Sequence, residues 1–302
     1  MHERVPVHAA DAIDAFVAGE ATRAATFAQP EWLRAVPTDR RLPDGARVVY
    51  TGCGTSYHAA LTGGSAVQAL EAVQQPPDAD VLVLVSHEGT TPVTLEAARA
   101  FAGTKWLVSG KEDGPIADLC EEVIVATPEL ERSWCHTASY TCAVAALAAL
   151  RGEEISSLPE LVADALGSPA RVSGHERWLV AGAGRDRATV LEAVLKLREG
   201  VFVAAESHHT EQLLHGHLAG VDDTVRCFVL QGEGRAAERA ADAVAALEAL
   251  GCDVTLMPTR HPVLDIVPFH LLVLGLAAER GVNPDLIRRD DERWARARET
   301  YR

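Results

Sequence analysis

Two periodicities alternate along the chain. Short continuous apolar runs, such as VLVLV from Val81 and WLVAG from Trp178, lead into small polar turns. Longer stretches follow, with apolar positions three and four apart. Runs of the first kind mark strands buried on both faces, and the second kind marks amphipathic helices. The first half reads ARVVYTGCGTSYHAALTGGSAVQAL, VLVLVSHEGTTPVTLEAARAFA, KWLVSG and EEVIVAT, then a helix from about Thr137 to Leu150. The second reads ERWLVAGAGRDRATVLEAVLKLREG, VFVAAES, a histidine-rich segment, VRCFVLQGEGRAAERAADAVAALEALG and CDVTLMP. This alternation predicts an α/β protein with parallel sheet.

Each half opens with strand, G-x-G turn and helix, Gly52 and Gly182 holding equivalent places. The pattern predicts a tandem duplication of a doubly wound, flavodoxin-like unit. Its parts are an N-terminal helical extension over residues 1–28, subdomains over 29–165 and 166–282, and a tail over 283–302. A linker is expected around 152–175. Ligands of such sheets bind beyond the carboxyl ends of the strands, so the glycine-rich turns are the places to search. Neither turn completes G-x-G-x-x-G, since Ser56 or Tyr57 and Asp186 or Arg187 stand where the third glycine belongs; a dinucleotide fold is a poor match. A plainer role for both glycines is close strand-to-helix packing.

Composition narrows the partners. The chain has 302 residues, 48% hydrophobic and 24% charged, as in globular proteins with a sizeable core. A formal net charge of −15, with no basic block before the tail, argues against nucleic acid and anionic membrane surfaces. No apolar signal segment opens the chain, and runs such as CAVAALAAL from Cys142 are too short to span a bilayer. The cysteines at 53, 120, 135, 142, 227 and 252 form no C-x-x-C pair and read as buried thiols of a reducing cytoplasm.

Several segments carry a resemblance. AQPEWLRAVP from Ala28, TGCGTSYHAAL, SHEGTTPVTL, ERSWCHTASYT, LEAVLKLREG, AESHHTEQLLHGHLAGVD and GVNPDLIRRDD fall in the order of the motifs of the sugar isomerase (SIS) family. The likeness is to the isomerase half of glutamine–fructose-6-phosphate aminotransferase and to its stand-alone isomerase and deaminase cousins. It implies the duplicated SIS fold, a homodimer, a sugar or sugar-phosphate ligand, and no cofactor or metal. A glutaminase domain with an N-terminal cysteine nucleophile is not found in the sequence, so the complete amidotransferase is not expected.

Aldose–ketose interconversion needs a base that moves a proton between adjacent carbons, a group that opens the ring, and donors that steady the enediolate. As a helix, LEAVLKLREG brings Glu192, Lys196 and Glu199 to one face, a pattern shared with ordinary exposed ion-pair faces. The resemblance implies that Glu199 is the proton shuttle, with Lys196 and Glu192 beside it. It further implies that His215, followed by Gly216, opens the ring in the neighbouring subunit's site, a task suited to imidazole. His208, Gln212 and His215 would share one helical face, but this spacing lacks a third good ligand for a metal. The tail has no lysine. Arg288 or Arg289 offers a cation to substrate oxygens but cannot form an imine, so a Schiff base would have to use Lys196.

By the same likeness, the ligand loops are Cys53, Gly54, Thr55 and Ser56; Ser86, His87, Glu88, Gly89, Thr90 and Thr91; and His136 with Thr137. Thr91 before Pro92 is also a good helix cap. Glu88 is the anomaly, because such a loop is built to hold an anion. A carboxylate about 4 Å from a phosphate charge costs on the order of 4 kcal/mol at an effective dielectric of 20, and a helix N-terminus returns at most about 2 kcal/mol. Three resolutions are open: Glu88 faces solvent, it pairs with His87 or His136 as imidazolium, or the ligand lacks a phosphate. The functions that follow are an aldose–ketose isomerase, an amino-sugar deaminase or fructosamine deglycase, or a non-catalytic sugar-binding regulator.

Overall fold

The computed structural model describes residues 19–168 and 174–301. Most of the predicted N-terminal extension lies outside the described residues. The helices are α1 Glu20–Arg34, α2 Thr55–Gly63, α3 Ala69–Gln74, α4 Pro92–Ala100, α5 Ala138–Leu150 and α6 Leu158–Leu166, then α7 Arg187–Val201, α8 Thr210–Leu214, α9 Arg235–Ala249, α10 Pro262–Asp265, α11 Val267–Arg280 and α12 Glu292–Glu299. The strands are β1 Val48–Gly52, β2 Ala66–Gln68, β3 Val81–Val85, β4 Thr104–Ser109, β5 Glu122–Val125, β6 Arg177–Gly182, β7 Ala204–His209, β8 Val225–Leu230 and β9 Asp253–Met257.

Two separate parallel sheets form. The first has the order β2-β1-β3-β4-β5 and the second β7-β6-β8-β9. The first order is that of flavodoxin-like folds, and the second repeats it without a fifth strand. The duplication read from the turns is therefore real in the fold. The central strand β3 is buried at every position, which is why its sequence runs apolar without alternating; β8 is equally buried and includes Arg226.

Between the sheets lies a layer of helices. Helix α5 is buried along nearly its whole surface, accounting for the all-round apolar CAVAALAAL. Helix α2, the first of its half, packs on α7, the first of the other, and α7 packs in turn on α11. The run Pro262–Arg280 is long and apolar enough to cross a membrane by length and composition, which corrects the expectation that every apolar run is too short. Most of it is buried here, against α6 and α7.

Two local expectations change. The segment read as linker carries α6, packed on α1 and α11, and α1 runs through the boundary drawn at residue 28. His208 belongs to β7, and α8 spans only Thr210–Leu214, so the helical face of His208, Gln212 and His215 does not form. Backbone pairing with β6 claims that segment first.

Candidate active site

A cleft of about 350 Å³ opens outside the carboxyl ends of β1, β3, β4 and β5. The turn after β1 contributes Cys53, Gly54, Thr55 and Ser56, and the turn after β3 contributes His87, Glu88, Thr90 and Thr91. These turns flank β1 and β3, where the strand order reverses, which is where open α/β sheets bind ligands. Gly52 is required at the first turn, since a Cβ there would lie 2.8 Å from the backbone carbon of Ser56. Gly54 is required for its φ of +55°.

The second half closes the cleft by sending in Glu199 from the last turn of α7. Its carboxylate accepts from Lys196 Nζ at 2.9 Å and is about one quarter exposed. Lys196 and Glu192 are fully buried behind it, which overturns the exposed ion-pair reading. Lys196 Nζ also donates to Thr55 Oγ1 at 3.2 Å and to the Cys135 carbonyl at 3.3 Å. Glu192 lies 3.3 Å from Lys196, accepts from Thr55 Oγ1 at 3.1 Å, and stands 2.7 Å from His58 Nδ1. A carboxylate–lysine–carboxylate chain along α7 thus lies against Thr55, His58 and Cys135 of the first half and ends in the cleft at Glu199.

The electrostatics of that chain are strong. Burial works against the Glu192 carboxylate, but Lys196 and His58 outweigh it and hold its pKa down at about 2. Burial likewise opposes the Lys196 ammonium, and the two glutamates reverse the sign and raise its pKa above the ordinary lysine range. Lys196 is therefore a fixed cation with its donors committed, unsuited to imine formation.

The wall opposite the β1 turn comes from residues 131–140. Glu131 is buried and accepts from the backbone N–H groups of Thr137 and Ser139 at 2.7 and 2.8 Å, and from their hydroxyls at 3.1 and 2.6 Å. The N-terminus of α5 is thereby already occupied by a protein carboxylate. Burial favours its protonation, but His136 and these donors prevail and hold its pKa below the usual range. His87 Nε2 accepts from the Glu131 N–H at 3.0 Å, which places the ring proton on Nδ1. Burial lowers the pKa of His87, and it pushes His136 down to about 4 despite the pull of Glu131. Both rings are neutral at pH 7, so the imidazolium partner imagined for Glu88 is not supplied. Glu88 itself is exposed at the rim of the cleft.

The tail reaches the same place. Asp285 is buried and accepts from the N–H groups of Gly19, Ala21 and Thr22 at the start of α1, while its carbonyl accepts from Trp134 N–H. This anchor brings Ile287 and Arg289 over the cleft, with the Arg289 guanidinium 3.4 Å from the Trp134 ring centroid. Arg288 turns away, its guanidinium over Phe202 and Trp294.

Of the residues predicted from sequence, Cys53, Gly54, Thr55, Ser56, His87, Glu88, Thr90, Thr91, His136 and Glu199 line the cleft. Ser86 is buried beneath it, in contact with the Thr91 hydroxyl at 3.1 Å. Thr137 is spent on Glu131, and Gly89, with φ +66°, shapes the turn. His215 does not join them: its side chain is 70% exposed and pairs with Glu211 at 2.8 Å. Sequence reasoning missed His58, Glu131, Ser139, Tyr140, Thr127 and Trp134. The position of Thr127 just past the end of β5 was the available signal for it. Glu131 and Ser139 stood within a motif already quoted.

No protein-family model matches the chain. It is 24% identical over 310 residues to the isomerizing glutamine–fructose-6-phosphate aminotransferase of Chlorobaculum tepidum, covering 81% of this chain and 50% of that protein. Against the same enzyme from Pyrococcus horikoshii it is 26% identical over 298 residues, covering 79% and 50%. The chain thus spans about half the length of the curated relatives it matches. Among solved structures, the C-terminal domain of glucosamine-fructose-6-phosphate aminotransferase from Francisella tularensis superposes with a TM-score of 0.73 at 18% identity, covering 90% of this chain and 99% of that one. Tagatose-6-phosphate ketose/aldose isomerase from Escherichia coli gives 0.69 at 19% identity, covering 89% and 98%. At such identities the structures establish a shared fold, and the sequence matches relate the chain to the isomerase half of the aminotransferases.

Proposed function

Taking the chain as a duplicated SIS protein, we propose that it is an aldose–ketose isomerase-type enzyme acting on a carbohydrate derivative. A sugar phosphate is the class named by several relatives. The observation that carries the reading is the Glu199 carboxylate, which lines the cleft, is about one quarter exposed, and is held 2.9 Å from a buried lysine at the junction of the two halves. In the proposed reaction Glu199 removes the proton from one of C1 and C2 and returns it to the other. The hydroxyl proton moves the opposite way between the two oxygens, so the sugar neither gains nor loses atoms. Lys196 is a positioning residue: its ammonium fixes the carboxylate and offsets its charge, while Glu192 and His58 fix the ammonium. Hydroxyls of Ser56, Thr90 and Thr91 stand within the cleft as donors to sugar oxygens, while that of Thr55 is committed to Glu192.

Ring opening falls to His215 of a second copy of the chain, in a homodimer. Its exposed imidazole, hydrogen-bonded to a Glu211 that Arg239 also holds at 2.7 Å, supports that reading. A second reading, deamination or deglycation of an amino sugar, uses the same enolisation to turn the carbon–nitrogen bond into an imine, which water hydrolyses to the carbonyl and the free amine. It is favoured by the presence of a glucosamine-6-phosphate deaminase among the structures that share this fold.

The test is exchange of deuterium from solvent into C1 and C2 of hexoses and hexose phosphates, followed by NMR. Exchange with the unaltered chain that collapses in Glu199→Gln, with binding retained, is the expected result. Equal exchange in both overturns the assignment of the base.

A further inference from the structure

The proposed isomerisation moves two protons, and Glu199 accounts for the one on carbon. The other belongs to a hydroxyl and must pass between O1 and O2 for the carbonyl to change place. Lys196 is closed to it, being buried with its donors on Glu192, Glu199, Thr55 and the Cys135 carbonyl. His136 is open to it. Its ring lines the cleft, and its side chain is 22% exposed. The rings of His87 and Trp134 meet it edge-on, with centroids 5.1 and 6.5 Å away. Cys135, the residue before it, gives its carbonyl to the same Lys196 ammonium that holds Glu199, so one cation ties both groups to one wall.

The hydrogen bonds decide which ring nitrogen is bare. Ser139 Oγ has one proton, and it goes to the Glu131 carboxylate at 2.6 Å. That hydroxyl can therefore only accept from His136 Nδ1, 3.2 Å away. The neutral ring thus keeps its proton on Nδ1, and Nε2 holds a lone pair with no hydrogen-bond partner among the described residues. Behind Nδ1, at 4.0 Å, lies an oxygen of the buried Glu131 carboxylate. This fixed anion offsets the charge that the ring acquires on taking a second proton, with no rearrangement of the wall.

We propose that His136 is a second catalytic residue, the carrier of the hydroxyl proton between O1 and O2. The inference rests on the reading of Glu199 as the base between C1 and C2. As Glu199 takes the C2 proton of an aldose, the C2–H pair becomes the C1–C2 double bond and the carbonyl pair moves onto O1. His136 Nε2 takes the proton of the O2 hydroxyl, and the imidazolium returns it to O1. Glu199 then gives its proton to C1, O2 is left as the carbonyl, and both side chains end as they began. Ser139 and Glu131 are positioning residues that fix the tautomer and face the transient charge.

The experiment separates the two protons. Exchanging a C1 proton of a ketose for deuterium needs Glu199 alone, whereas forming the aldose also needs transfer between the oxygens. Fructose, tagatose and their 6-phosphates are incubated in deuterium oxide with the full chain, Glu199→Gln, His136→Gln and His136→Ser. NMR then follows C1 deuterium in the recovered ketose and the aldose formed. Glutamine accepts a hydrogen bond but carries no proton, so His136→Gln should raise the ratio of C1 exchange to aldose formation at least about 10-fold. If that variant fails to fold by circular dichroism, His136→Ser, which empties the same place on the wall, should raise the ratio likewise. A ratio equal to that of the unaltered chain, whatever the absolute rates, overturns the role of His136 and leaves Glu199 in place. C1 exchange undiminished in Glu199→Gln overturns the base, and the division of labour with it. Absence of exchange from all four ketoses with the unaltered chain overturns the isomerase reading and both assignments.

Discussion

The two halves share one backbone plan and use it differently. In each, the first strand ends in G-x-G and a helix follows at once. Gly52 and Gly182 are forced by the same crowding: a Cβ would lie 2.8 Å from Ser56 backbone in one and 2.8 Å from Val190 in the other. In the first half, Thr55 and Ser56 follow, and the space beyond is a cleft. In the second, Arg185 and Asp186 follow, and the turn is filled by protein. Thr259 donates to Asp186 at 2.6 Å and accepts from Gly232 N–H at 2.7 Å, and Arg185 pairs with Glu233 at 3.0 Å. The second half has turned its own turn inward and contributes a helix, α7, whose polar face completes the other half's cleft. Duplication thus supplied one scaffold whose turns line the cleft and one that aims a carboxylate into it.

Four changes break or sharpen this contrast. The largest effect is expected from Glu199→Gln, which should lower kcat about 10²- to 10⁴-fold, the usual contribution of a positioned proton-transfer group. Ligand affinity measured by calorimetry should stay within a few-fold. Next is Lys196→Met, which leaves Glu192 buried without its cation; a loss of about 3–5 kcal/mol in urea unfolding is expected. The same network gives a pH signature. Glu192 has a folded pKa depressed to about 2 from 4.5, so its contribution is fully present above pH 4.5 and is lost as pH falls through 2.

The filled half carries the opposite sign. Burial pushes the pKa of Asp265 up to about 6 from 3.8, against the pull of Arg260. A raised carboxylate pKa means that the folded state holds a proton the unfolded state has released. Its charged form therefore costs stability as pH rises from about 4 to about 6, by roughly 2–3 kcal/mol if the shift is taken whole. Unfolding midpoints should show this decline in the unaltered chain, and Asp265→Asn should flatten it without changing ligand affinity. The smallest effect belongs to Glu88→Ser. Being exposed, Glu88 acts through water, where a charge pair about 4 Å apart is worth about 1 kcal/mol. Affinity for a phosphorylated sugar should rise by no more than about 5-fold, with that for the free sugar unchanged.

The chain by itself determined the fold, because burial on both faces of a parallel sheet writes continuous apolar runs and the helices between them write a 3.6-residue period. It determined the two β-to-α turns, where crowding leaves only glycine, and the shared face of Glu192, Lys196 and Glu199, which follows from helix geometry alone. Tertiary structure decided what that face meets. Local spacing cannot separate a solvated ion-pair face from a buried chain of charges; the difference is whether α2 packs over α7 and brings Thr55 and His58 against Glu192. It also decided that the Glu131 carboxylate caps α5, that both cleft histidines are neutral, and that the tail enters the site through Asp285. These depend on contacts and desolvation that exist only in the folded chain, among them His87 against Glu131 and Asp285 against the start of α1.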